Sequence, residues 1–151
     1  PTSIETRVFD LLEVHREHLT YTQTRAAVRR MALNWPELDI IIVESKANGP
    51  AIIDDLKTEI QNLVSFNPTP YGEKEQRLRA VASIFEAGRV RLPRTAPWVP
   101  TYIKEITYFP KTDEDDQVDS TTQTLLGCLY HLPSWTRNST KHPARVYGGW
   151  N

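Results

Sequence analysis

The chain has 151 residues, 18 Lys and Arg against 19 Asp and Glu, and a formal net charge of −1. Hydrophobic residues make up 39% and charged residues 25%, a composition that excludes both a disordered tail and a membrane protein. The longest aliphatic run, Ile40-Ile41-Ile42-Val43, falls far short of the roughly 20 apolar residues needed to span a bilayer. The length predicts one domain with a single core. The one cysteine, Cys128, excludes an internal disulfide framework and a Cys-rich zinc site, and it fits a reducing compartment. The N-terminus lacks the basic-then-apolar pattern of a signal peptide, and a chain that starts at Pro1 reads as a piece of something longer. A near-zero net charge argues against a generic polyanion binder unless the charges are segregated along the chain.

Residues 8–14, Val-Phe-Asp-Leu-Leu-Glu-Val, read as a strand. Thr22 then offers an N-cap for a helix over 23–35, in which Val28, Met31, Ala32 and Trp35 make one apolar face and Pro36 supplies the stop. Asp39-Ile40-Ile41-Ile42-Val43-Glu44 reads as a strand buried on both faces. Asn48-Gly49-Pro50 makes a turn with Pro at the first position of a helix. That helix runs to Gln61 with Ile53, Leu56 and Ile60 inward. Leu63–Phe66 is a third strand and 67–72 a loop. A helix over 73–87 follows, with Leu78, Val81, Ala82 and Phe85 on one face and Gly88 as its terminator. Arg89–Leu92 is a short extended piece. Val99, Tyr102, Ile103 and Ile106 mark a helix stopped by Pro110, and a last helix over 114–131 buries Val118, Thr122, Leu125 and Leu129. Strand alternating with helix predicts an α/β fold around a parallel sheet. Residues 133–151, with Trp135, Arg137, Lys141, Arg145, Tyr147 and Trp150, lack periodicity and form a loop-like or partner-ordered tail to a domain of 1–132.

Two acidic features stand apart from ordinary surface charge. Glu44 ends the most apolar strand, where sites collect in open α/β sheets; the plain alternative is a strand-end acid that reaches solvent. The run Asp113-Glu114-Asp115-Asp116-Gln117-Val118-Asp119 sits at a helix start, where the dipole favours carboxylates by about 0.3–1 kcal/mol each. Yet Asp116 and Asp119 are three apart and Asp115 and Asp119 four apart, so they share a face and repel. A hard divalent cation would relieve that repulsion, and carboxylate oxygens suit Mg²⁺ or Mn²⁺.

Other signals are weaker. His15 and His18 have no evident third ligand, and they read as exposed histidines. There is no Gly-x-x-x-x-Gly-Lys-Ser/Thr stretch, hence no P-loop ATPase within the chain, and no Gly-x-Ser-x-Gly elbow. Asn138-Ser139-Thr140 matches a glycosylation acceptor but lacks a secretory context. Basic residues cluster as Lys74, Arg77, Arg79, Arg89, Arg91 and Arg94, with a smaller set of Arg25, Arg29 and Arg30. Either set alone reads as a solvated helix face. An acidic centre flanked by basic stretches is nevertheless what metal-dependent phosphodiester chemistry needs: acids at the scissile phosphate, cations along the backbone.

Five segments in order carry a resemblance: Val43-Glu44-Ser45-Lys46-Ala47-Asn48-Gly49-Pro50-Ala51-Ile52-Ile53, Phe85-Glu86-Ala87-Gly88-Arg89-Val90-Arg91-Leu92-Pro93, Ala96-Pro97-Trp98-Val99, Phe109-Pro110, and Asp115-Asp116-Gln117-Val118-Asp119. From about residue 8 to 130 the chain resembles the C-terminal nuclease domain of the tailed-bacteriophage terminase large subunit. The resemblance implies an RNase H-like fold, a central mixed sheet flanked by helices. It implies a metal-dependent endonuclease that cuts concatemeric double-stranded viral DNA during packaging, with two Mg²⁺ or Mn²⁺ ions and little sequence preference.

Carried over by position, Glu44 and Asp116 are the catalytic acids, with Asp119 assisting and Asp115 a further metal ligand. Lys46 joins Lys74, Arg77, Arg79, Arg89 and Arg91 as DNA-contacting cations. Implied partners are an N-terminal ATPase motor domain of the parent chain, the portal protein and the small terminase subunit. The implied location is the host cytoplasm at the procapsid portal. The chain departs from the family pattern in two ways. The family's first catalytic Asp lies on an opening strand upstream of 8–14, and none of the seven residues before Val8 is Asp. Family members often carry His where this chain has Glu114. The rival expectations are a non-catalytic module docking on DNA, portal or motor subunits through the 133–151 tail, and a junction-resolving nuclease of the same fold.

Overall fold

The computed structural model describes residues 7–131 and the backbone of residues 146–148. Among the described residues five strands and five α-helices nearly alternate, two helices following in succession before the last strand, and every strand pair is parallel. They are β1 (Phe9–Val14), α1 (Tyr21–Asn34), β2 (Ile41–Glu44), α2 (Gly49–Leu56), β3 (Leu63–Phe66), α3 (Lys74–Glu86), β4 (Val90–Arg91), α4 (Val99–Tyr108), α5 (Asp116–Tyr130) and β5 (Val146–Gly148). Among the described residues the strands form two sheets rather than the single sheet expected. One has the order β4-β1-β5, and the other is the β2-β3 pair. The strand β5 lies within the segment read as an irregular tail, and its backbone pairs with β1 from Leu11↔Val146 onward. The tail's aromatic and basic side chains, and the Asn138-Ser139-Thr140 acceptor, lie outside the described residues.

The buried apolar residues fall into two cores, and the larger one draws on strands of both sheets. Phe9 and Leu11 of β1, Phe66 of β3, Val81 and Ile84 of α3, Tyr102 of α4, and Leu125, Leu126 and Cys128 of α5 form the larger one. Val28 of α1, Ile41 of β2, Ile52 and Leu56 of α2, and Ile60 form the smaller. Fully burying each large aliphatic side chain contributes about 1.5–3 kcal/mol, so α5, the helix with the most buried positions, is held chiefly by the larger core.

Several expected positions move by a residue or more, for identifiable reasons. The N-cap of α1 is Thr20, not Thr22, because only Thr20 has Gln three positions on. Gln23 Oε1 accepts from Thr20 N at 2.8 Å while Thr20 Oγ1 accepts from Gln23 N, a reciprocal capping box. In α2 the buried residue is Ile52 rather than Ile53, and the helix stops at Leu56. In α3 the inward stripe is Arg77, Val81 and Ile84, with Leu78 and Phe85 at its margin. Gly88 does terminate α3, at φ +64°. In α4, Ile103 is 49% exposed, and the inward residues are Tyr102 and Glu105. Of β2, only Ile41 is fully buried.

Burial pushes the Cys128 thiol from its ordinary 9.0 up to about 11, and burial likewise lifts the Tyr102 phenol from 10.0 up to about 12. Both groups stay protonated in the folded chain at a pH where the unfolded chain has ionised, so stability falls as pH rises. Their contribution is whole below about pH 9 and is lost progressively between pH 9 and 12. Denaturant midpoints measured against pH are expected to decline in that window, and Cys128→Ala is expected to flatten the part between pH 9 and 11.

Candidate functional site

The site is assembled where the end of β2 meets the first three turns of α5. Glu44 closes β2 opposite Phe66, and Ser45 N extends the pairing by donating to Phe66 O at 2.9 Å. The chain then turns sharply into α2. Gly49 N donates to Lys46 O at 2.9 Å, and Ala47 takes a left-handed φ of +48°. A Cβ on Gly49 would collide with the Glu44 carbonyl oxygen. The glycine therefore lets α2 start against the residue that carries the candidate acid. The Glu44 side chain reaches α5, where its Oε2 accepts from Gln123 Nε2 at 3.1 Å. Gln123 lies four residues after Asp119 and seven after Asp116, on the same helix face.

The acids of α5 meet cations from two other segments. Lys74 and Arg77, three apart at the start of α3, reach Asp115 and Asp119, four apart at the start of α5. Lys74 Nζ lies 2.7 Å from Asp115 Oδ1 and 2.8 Å from Asp119 Oδ2. Arg77 is 4% exposed, pairs with Asp119, which is 8% exposed, and donates to Gly72 O at 2.7 Å. Burial opposes the Lys74 charge, but hydrogen bonds to Asp115 and Asp119, together with their charges, outweigh it and raise its pKa. From the segment after β1, Arg16 donates to Glu114 at 2.8 Å and stands 3.7 Å from Asp116.

The expected residues therefore divide. Glu44, Asp116 and Asp119 come to one side of α5. Asp115 and Asp119 are bound by Lys74 and Arg77, whereas Glu44 is met by a neutral amide. Of the cations read as facing DNA, Lys46 and Arg79 are exposed, and Arg91 is bidentate to Asp10 at 2.6 and 2.7 Å in the β1-β4 register. Arg77 is a correction: it is interior and holds α5, because it falls on the core stripe of α3. The smaller basic set also has an internal use. Arg29 pairs with Glu59 at 2.6 Å, and Arg25 with Asp55 at 3.0 Å, tying α1 to the region of α2.

Sequence reasoning missed Gln123 and Glu105. Gln123 was signalled only by its spacing from Asp119. Glu105 was signalled by an acid lying among the apolar positions of α4.

Among the described residues, no three His, Cys, Asp or Glu side chains converge as a metal cage would require. The donor chemistry still suits a hard ion. Mg²⁺ is commonly held by one or two carboxylates and completed by water and substrate phosphate rather than by an all-protein cage. Glu44 and Asp116 are the residues that would supply those oxygens.

Parallel strands flanked by helices, with a strand-end glutamate bonded to α5, fit an RNase H-like module. The chain belongs to the terminase RNase H-like domain family, whose model matches residues 4–127. No curated protein and no solved structure gives a significant match. No described helix is long and apolar enough to cross a membrane.

Two outcomes follow from the geometry. Asp119→Ala leaves Arg77 buried without its carboxylate and is expected to cost about 3–5 kcal/mol in a denaturant titration, whereas Arg77→Met combined with Asp119→Leu costs much less. Gly49→Ala is expected to cost more than about 1 kcal/mol, since the new Cβ meets backbone that cannot swing aside.

Proposed function

We propose that this domain cuts concatemeric double-stranded viral DNA during genome packaging, as a metal-dependent endonuclease with little sequence preference. The observation that carries the reading is the contact between Glu44 and Gln123, which brings the strand-end acid onto the acidic face of α5. Membership of the terminase family supports DNA as the substrate. Glu44 and Asp116 hold one or two Mg²⁺ or Mn²⁺ ions in this reading, with Asp119 lending negative charge from behind its cation partners. A bound divalent ion supplies charge neutralisation at the phosphate and an activated water. The chain's own residues do the rest. Gln123 orients the Glu44 carboxylate, Arg16 restrains Asp116, and exposed Lys46 and Arg79 sit where they offer charge to the DNA backbone.

In the same reading the domain works beside an N-terminal ATPase motor domain of its parent chain. It meets the portal protein and small terminase subunit, in the host cytoplasm at the procapsid portal.

Supercoiled plasmid incubated with the chain and Mn²⁺ is expected to be nicked and then linearised. Glu44→Ala and Asp116→Ala are each expected to slow nicking by at least about 100-fold. Equal rates in wild type and Asp116→Ala would remove Asp116 from the site. Plasmid binding without any nicking would favour a docking module.

A further inference from the structure

We infer that Glu105 is the positioning residue for the acidic start of α5, and so for Asp116. The inference rests on the reading that this acidic face meets the scissile phosphate.

The first turn of a helix leaves backbone N–H groups without intrahelical partners, and the residue before the helix normally satisfies one of them. Asp115 occupies that place in α5 but makes no side-chain capping bond, because its carboxylate is turned to Lys74. The cap comes instead from another helix. Glu105 of α4 is 3% exposed. Its Oε1 accepts from Gln117 N at 2.6 Å and from Val118 N at 3.2 Å, and its Oε2 accepts from Gln117 Nε2 at 2.5 Å. A buried carboxylate with three donors aimed at it, two of them at a helix N-terminus, is a charge-assisted arrangement. One turn further along, Tyr102 Oη and Thr121 Oγ1 lie 3.1 Å apart. Residues 102 and 105 of α4 thus meet 121 and 117 of α5 in antiparallel order, which fixes both the rotation and the advance of α5.

Asp116 is tied to this contact through the covalent chain. The Gln117 N–H belongs to the same planar peptide unit as the Asp116 carbonyl. Holding that N–H at Glu105 therefore fixes the plane from which the Asp116 side chain projects. Glu105 touches neither substrate nor ion in this arrangement, and it acts through Asp116.

The test is a reversal of the pair in the full 151-residue chain. Glu105→Gln removes the charge that strengthens all three bonds, even where Gln117 turns its amide over to accept from the new nitrogen. Adding Gln117→Glu returns a carboxylate to the pair, while the oxygen of the new amide at 105 still accepts from the two backbone N–H groups. Working well below each unfolding midpoint, E105Q is expected to speed hydrogen exchange at the amides of 117 and 118 by at least about tenfold. Mn²⁺-supported nicking is expected to lose about tenfold to 100-fold in kcat, with KM for plasmid unchanged. The double variant is expected to recover both. Unchanged exchange in E105Q overturns the inference, as does faster exchange with undiminished kcat. If wild type does not nick, the endonuclease reading fails on its own, and exchange and its recovery still decide whether Glu105 holds the helix start. Should E105Q not fold, Glu105→Asp keeps the charge but ends one methylene short of the two backbone N–H groups and is expected to show the same changes at reduced size. No change in that variant overturns the inference.

Discussion

The placement of α5 depends on a helix start that is capped from outside its own sequence. Glu105 brings a buried carboxylate to the open N–H groups of Gln117 and Val118, while Lys74 and Arg77 grip Asp115 and Asp119 from α3. Neither arrangement is favourable alone. A buried carboxylate without donors, or a buried guanidinium without an acid, costs several kcal/mol. They form because α3, α4 and α5 are already brought together by the apolar cluster of Val81, Ile84, Tyr102, Leu125 and Leu126. The apolar contacts set the distance, and the polar contacts then select one register of α5 among those the core would tolerate.

That register gives the strand-end acid its neighbour. Glu44 finds Gln123 only if α5 has the rotation that its first turn imposes, two helical turns upstream. On the other side, the position of Glu44 follows from the β2-β3 pairing and from the Gly49 turn beneath it. The strand and helix halves of the site meet at the Glu44–Gln123 contact, and they also share the larger core, because Phe66, the partner of Glu44 in the β2-β3 register, packs in the same cluster as Leu125 and Leu126.

The order of strands and helices was legible because hydrophobic periodicity and turn residues are local signals. Ile40–Val43, the Val81 stripe and the Gly88 stop each announce an element within a few residues. Positions that depend on a partner far along the chain were not legible. Arg77 looks like any surface arginine until α5 is laid beside it, and Glu105 breaks the apolar pattern of α4 for a reason that lies 12 residues on. Ile103 was read as inward because it completes an apolar spacing. The inward face keeps Tyr102 and Ile106 but turns Ile103 outward, since Tyr102 and Glu105 have bonds to make with α5. The division into two sheets was also hidden, because strand pairing is set by packing and not by the composition of each strand.

The balanced charge of the chain has a structural meaning that the totals conceal. The acids at the start of α5 are close enough to repel, and a bound divalent ion is one way to relieve them. The fold supplies another: Lys74 and Arg77 sit against Asp115 and Asp119, and Arg16 against Glu114 and Asp116. Repulsion among these carboxylates thus ceases to be an argument for an ion. What distinguishes Glu44 from the acids of α5 is its partner. Asp119 faces cations of its own chain at close range. Among the described residues Glu44 meets the dipole of an amide, a weak partner for a full charge. A phosphate backbone entering beside Glu44 would add negative charge there, which exposed Lys46, two residues on, offsets in part. Glu44 and Asp116 are the residues that would offer oxygens to a hard divalent ion, which would supply positive charge on that side.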